Sequence, residues 1–193
     1  MQHYAHFAHN SVTGFVKELT TLWNSYGSTV YAVTVQHQHD IVPISSDTIR
    51  ITEFGKWITA DIGEIDNCKF FVCKDSVWGG VHIDGPSPSR ECAINIPIID
   101  CNNGIMNWFS NTDHSIVVST SRTNVHTSDY HNDIDHWNVK ESMLLTQPAL
   151  VRTHIWHNID NRLNPHTRIV FSIRLKNNPK FESVHNKLSP WII

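Results

Sequence analysis

The chain has no hydrophobic run long enough to span a bilayer, so a transmembrane helix is not expected. Its first ten residues, MQHYAHFAHN, carry neither a basic stretch nor an apolar core, so they are not expected to be a signal peptide. It also lacks any lysine or arginine run, and its formal net charge is -3. Tight binding to a nucleic-acid backbone or an anionic membrane surface is therefore not favoured, and neither is an expected partner. The four cysteines, at 68, 73, 92 and 101, include no CxxC pair. Reduced thiols in a cytoplasmic setting are the simpler expectation, with a Cys68–Cys73 disulfide as the minor alternative. The absence of an HExxH motif removes the usual sequence support for a helix-borne zinc hydrolase.

What the chain has in surplus is histidine, at 14 of 193 residues. Most of these must be ordinary solvated imidazoles, because a metal site needs only two or three. Hydrophobic residues make up 40% and charged residues 17%, a globular balance that suits one compact domain over residues 1–193. Residues 11–24 read as a helix, with Val12, Phe15, Val16, Leu19, Leu22 and Trp23 on one face, Ser11 as N-cap and Gly27 as stop. The β-branched stretch 29–35 reads as a strand. A short helix is expected around 50–62, completing a helical N-terminal support over about 11–62.

From residue 69 onward strand signals dominate. Candidates are 69–73, the VHID stretch, 93–99, 106–109, 115–120, 141–145, 149–155 and 168–175, separated by turn-rich pieces. Short strands at this spacing predict a mainly β fold, a sandwich or jelly-roll barrel, flanked by the N-terminal helices. The polar stretch 121–140 reads as one long loop, a candidate lid.

Two places set a histidine two residues before an aspartate: His82-Ile-Asp84 and His131-Asn-Asp133. In a strand such residues share a face. His82 and Asp84 then project together while Val81 and Ile83 pack behind, giving two ligands for a divalent first-row metal. His131 and Asp133 have no alternating apolar neighbours to fix them, so the first pair is the better candidate. A third ligand must come from elsewhere, and the segment 148–175 offers His154, His157 and His166. In RIVFSIRL, Ile169, Phe171, Ile173 and Leu175 form an apolar face. Arg168, Val170, Ser172 and Arg174 form the other, which lines either solvent or a polar cavity. Arginine in such a cavity suits a carboxylate, because its planar fork makes two parallel hydrogen bonds.

In order, His82-Ile-Asp84, then His157, then Arg168 on an alternating strand, with AINIPI and TRIVFSIRL as flanks, resembles the Fe(II)/2-oxoglutarate-dependent oxygenase superfamily. The small prolyl-hydroxylase-like and phytanoyl-hydroxylase-like members are the nearest in pattern, over about residues 65–176. The resemblance implies a double-stranded β-helix (a jelly-roll, cupin-like barrel) that binds Fe(II) through His82, Asp84 and His157. It implies 2-oxoglutarate held by Arg168, with Ser172 and Asn95 as further contacts. It also implies hydroxylation of a substrate the sequence does not name. His154 in place of His157, and Arg174 in place of Arg168, stay open as alternatives. So does a non-catalytic cupin-like jelly-roll that binds a small anion or sugar.

Overall fold

A computed structural model describes residues 2–32, 39–84, 91–111, 118–120, 126–128 and 137–193. The helices come mostly first: α1 (His9–Leu22), α2 (Ser28–Ala32), α3 (Ser46–Arg50), α4 (Glu53–Trp57) and, near the end, α5 (Phe181–Leu188). Among the described residues, twelve strands follow the order β1 (Tyr4–His6), β2 (His39–Ile44), β3 (Ile65–Cys73), β4 (His82–Ile83), β5 (Cys92–Ile99) and β6 (Ile105–Asn111). After them come β7 (Val118–Thr120), β8 (His126–Ser128), β9 (Trp137–Leu144), β10 (Ala149–Arg152), β11 (His157–Asp160) and β12 (Arg168–Leu175).

The strands form two six-stranded sheets, β1-β10-β5-β12-β3-β2 and β7-β8-β4-β11-β6-β9. Every described pairing is antiparallel. No described pairing joins one sheet to the other. The two sheets pack face to face, with Ala93, Ala149, Val151 and Val170 of the first against Met106, Trp108 and Met143 of the second. The chain is thus mainly antiparallel β with a few helices, as its strand spacing leads one to expect.

β12 shows how sequence positions the site. It lies between β3 and β5, so its backbone is hydrogen-bonded on both edges. Ile169, Phe171 and Ile173 point to the outer face and join the core built with Phe7, Leu19, Ile49, Phe54, Ile58 and Phe70. Phe171 meets Phe70 at 5.1 Å and Phe54 edge-on at 6.1 Å. Burial of each such ring is worth roughly 2–3 kcal/mol. The alternation then forces Arg168, Val170, Ser172 and Arg174 inward, between the sheets.

The helices cover the outer face of the first sheet. In α1, Val12 and Leu19 are buried, and Phe15, Val16 and Leu22 pack against the core. The Glu18 carboxylate accepts from the backbone N–H groups of Glu53 and Phe54, both at 3.0 Å. It satisfies two orphan donors at the start of α4. Thr52 adds its hydroxyl to the Gly55 N–H.

Several expectations are corrected. The first helix is capped by Ala8, not Ser11, and runs into a π-helical turn, Trp23–Gly27. Gly27 does not stop the helical run: it lies against the Trp23 ring, and residues 28–32 continue helical where a strand is expected. Continuation of a formed helix outweighs β-branched propensity there. The rest of that stretch, 33–35, lies outside the described residues. The helix expected at 50–62 begins at Ser46 and is broken at 51–52. The stretch 121–140 is not one loop, because it contains β8 and the start of β9. Its candidate role as a lid, like the pair His131 and Asp133, falls largely outside the described residues. All four cysteines are free thiols, so Cys68–Cys73 is not a disulfide.

Candidate metal centre

β4 and β11 pair at a single register point, His82 opposite His157. The two imidazoles therefore share a face, with ring centroids 4.4 Å apart. Each is oriented by a carbonyl two residues earlier. His82 Nδ1 sits 2.8 Å from Gly80 O, and His157 Nδ1 2.7 Å from Ile155 O. A carbonyl can only accept, so both rings carry their proton on Nδ1 and present the Nε2 lone pair inward. Asp84 follows, its backbone N–H donating to Thr153 O at 2.9 Å. Its Oδ1 lies 3.5 Å from His82 Nε2.

The ligand atoms of His82, Asp84 and His157 all lie within 4.8 Å of one another. Neighbouring donors about 2.1 Å from a metal stand about 3 Å apart, so small side-chain adjustments suffice to share one ion. Two imidazoles and one carboxylate on one side leave open positions opposite, the donor set of non-haem iron sites. Burial, reinforced by the neighbouring His82, holds the His157 imidazole well below its ordinary value. Burial also lowers His82, with Arg174 and Lys69 adding to it against the Gly80 hydrogen bond. Both rings are neutral at pH 7, the form that binds metal.

His154 is not part of this cluster. Its Nδ1 lies 3.0 Å from Glu91 O and 3.1 Å from the Glu91 carboxylate.

The two arginines of β12 have different surroundings. Arg174 donates to Asp84 Oδ2 through Nη2 and to Thr153 Oγ1 at 3.1 Å through Nη1. Burial pushes its guanidinium down to about 9, still protonated at neutral pH. Thus Asp84 has one oxygen tied to Arg174 and the other beside His82. Arg168 is 3% exposed, yet its Nε and Nη2 have no hydrogen-bond partner. Ser172 Oγ and Asn95 Oδ1 are likewise buried and unpartnered. Ser172 and Asn95 are direct cross-strand neighbours on β12 and β5, so they share the inner face with Arg168. The unpartnered atom of Asn95 is its carbonyl oxygen, an acceptor, whereas Arg168 and Ser172 offer donors.

Unpaired buried polar groups are rare, and each costs about 1–3 kcal/mol. Here three residues on one inner face share the condition. A carboxylate is the group that could accept from both Arg168 and Ser172, so this face carries the donors an acidic ligand would need.

Sequence reasoning missed the Arg174–Asp84–Thr153 contact, which depends on tertiary pairing. It also missed a chain of buried amides. Asn158 donates to Gly79 O at 3.0 Å and accepts from Asn107 Nδ2 at 3.1 Å, and Ser142 donates to Asn107 Oδ1 at 2.6 Å. The only sequence signal for it is an asparagine at an otherwise strand-like position, which is weak.

No protein-family model matches the chain, and no curated protein matches it by sequence. Solved structures do match. The epimerase SnoN, crystallised with Fe3+, alpha ketoglutarate and nogalamycin RO, aligns over 88% of this chain and 77% of its own at 14% identity, with a TM-score of 0.51. SnoK, a non-heme alpha ketoglutarate dependent carbocyclase from nogalamycin biosynthesis, aligns over 89% and 78% at 11% identity, with a TM-score of 0.54. What is shared is the fold. The chain has the mainly antiparallel two-sheet architecture of these two enzymes. No helix among its described residues is long and apolar enough to cross a membrane.

Proposed function

We propose that the chain is a single-domain Fe(II)- and 2-oxoglutarate-dependent dioxygenase of the hydroxylase type, built on a double-stranded β-helix. One observation carries the reading: an open-faced His82, Asp84 and His157 set shares the space between the sheets with unpartnered, buried Arg168, Ser172 and Asn95. The fold shared with SnoN and SnoK supports it. Bound there, iron and 2-oxoglutarate supply the oxidising power, by decarboxylation to succinate with transfer of one oxygen atom of O2 to a substrate C–H bond.

The protein's own residues do the positioning. His82 and His157 present Nε2 because their Nδ1–H groups are tied to carbonyls. Asp84 presents Oδ1 because Arg174 holds Oδ2. That engagement leaves Arg168, whose Nε and Nη2 have no partner, to take the distal carboxylate through paired N–H donors, with Ser172 on the same inner face. Trp108, fully buried with its indole N–H donating to Arg152 O at 2.9 Å, excludes water from the inner wall. The free, buried thiols support a reducing, cytoplasmic setting.

The test is anaerobic addition of Fe(II) and 2-oxoglutarate to the purified chain, followed by succinate analysis after exposure to air. A weak visible charge-transfer band is expected, lost in both His82→Ala and Asp84→Ala. A band that survives both substitutions rejects the assignment. A bound oxoacid that never yields succinate points instead to the non-catalytic cupin-like binding barrel.

A further inference from the structure

The wall behind Arg168 contains a residue whose role depends on having no side chain. Gly104 lies immediately before β6 and is buried. A Cβ at this position would lie 2.6 Å from Arg168 Cδ, 2.8 Å from its Nε and 3.2 Å from Asn161 Oδ1. Ordinary carbon contacts are about 3.5–4.0 Å, so something would have to move by about 1 Å.

The surroundings decide what moves. The loop bearing Gly104 is pinned: Asp100 turns with φ +47°, its carbonyl accepts from Asn164 Nδ2 at 2.5 Å, and Cys101 Sγ donates to Ile169 O at 3.3 Å. Asn161 is pinned as well. It donates to Lys74 O at 2.7 Å through Nδ2 and to Val77 O at 2.8 Å through its backbone N–H, and it accepts from Asn164 Nδ2 at 3.1 Å. The Arg168 backbone is paired with Cys73 in the middle of the sheet. Its guanidinium, by contrast, has Nε and Nη2 unheld. The side chain of Arg168 is therefore the part that yields, and it yields away from Gly104.

We infer that Gly104 is a specificity-determining residue, whose missing side chain lets the Arg168 stem lie back and so sets the length of the dicarboxylic oxoacid the site accepts. This rests on the reading of Arg168 as the carboxylate anchor. Advancing the cation by about 1 Å removes most of one C–C bond length, about 1.5 Å, from the available span. A diacid one carbon shorter then fits better, and a longer one fits worse.

The experiment is calorimetric titration of the full chain, loaded anaerobically with Mn(II), with freshly dissolved oxaloacetate, 2-oxoglutarate and 2-oxoadipate. Wild type is expected to prefer 2-oxoglutarate. G104A is expected to lose at least tenfold in 2-oxoglutarate affinity and more for 2-oxoadipate, while holding or gaining oxaloacetate and binding Mn(II) as before. An unchanged order of preference, or an equal loss for all three acids, overturns the inference. No binding of any of them by wild type overturns the functional reading instead. Where G104A proves too unstable to titrate, R168K supplies the reciprocal measurement. Its shorter cation, withdrawn from the same pocket, shifts preference toward 2-oxoadipate, and no shift removes the cation position as the length gauge.

Discussion

Replacing Arg168 by methionine separates an arginine kept for structure from one kept for a ligand, because the two roles have opposite signs in stability. The native side chain is 3% exposed with two donors, Nε and Nη2, unsatisfied. Each buried unsatisfied donor costs about 1–3 kcal/mol. Methionine keeps most of the aliphatic stem and removes both donors. After allowing for imperfect packing, the ligand-free protein should gain about 2 kcal/mol, raising its unfolding temperature by about 4–8 °C for a chain of this size. Ligand binding should move the other way. Truncating one partner of a buried charged pair costs about 2–5 kcal/mol, or about 30-fold to several thousand-fold in 2-oxoglutarate affinity. Scanning calorimetry without ligand and calorimetric titration with metal and 2-oxoglutarate read the two effects separately. An R168M protein that unfolds at lower temperature than wild type, or that binds 2-oxoglutarate unchanged, refutes the reasoning.

Asp84→Ala should abolish metal binding and, by leaving Arg174 buried beside Thr153 alone, destabilise the chain by about 3–5 kcal/mol. The double variant D84A/R174M should recover stability in denaturant without recovering metal, and failure to recover would show that the pair is not the cause. Phe171→Ala, at a fully buried ring between Phe54 and Phe70, should cost about 3–5 kcal/mol in urea unfolding; a loss below 1 kcal/mol would mean the outer core repacks freely. A thiol reagent at pH 8 should leave the native cysteines unmodified. Burial raises Cys68 and Cys92 to about 12 and Cys73 to about 11, and raises Cys101 too. All four should react once the chain is denatured, and rapid labelling of the native protein would contradict the burial.

The parts of this fold that could be read from the sequence are those where local pattern and tertiary environment agree. RIVFSIRL alternates without exception, and β12 has the expected bounds, Arg168–Leu175. KFFVC and AINIPII extend into β3 and β5 by one to four residues at their starts. Where a segment's state is decided by its neighbours, pattern fails. β1 is only three residues long and exists because β10 offers it an edge. Residues 28–32 are β-branched yet helical because α1 and its π-helical turn lead directly into them. The site divides in the same way. The spacing of His82 and Asp84 is a local fact and reads directly. Whether His157 or His154 stands opposite His82 is not a local fact: it depends on the pairing of two strands, and the register places His157 there.

The same register separates the two arginines, which spacing alone leaves interchangeable. They lie six residues apart on one face of β12, about 20 Å at the usual rise. Asp84 engages the guanidinium at one end, while at the other Gly104 lies against the stem of the second. The apolar residues between them, Ile169, Phe171 and Ile173, lock that separation, because a slip of one residue would turn both arginines into the outer core and three apolar side chains into the space between the sheets. The outer hydrophobic face is therefore what permits polar groups on the inner face to remain unpaired: packing energy on one side of a central strand offsets the orphaned donors on the other. On this view substitutions in the outer face act on the site through register, and they should lower stability and ligand affinity together. Substitutions on the inner face, as with Arg168, should drive the two apart.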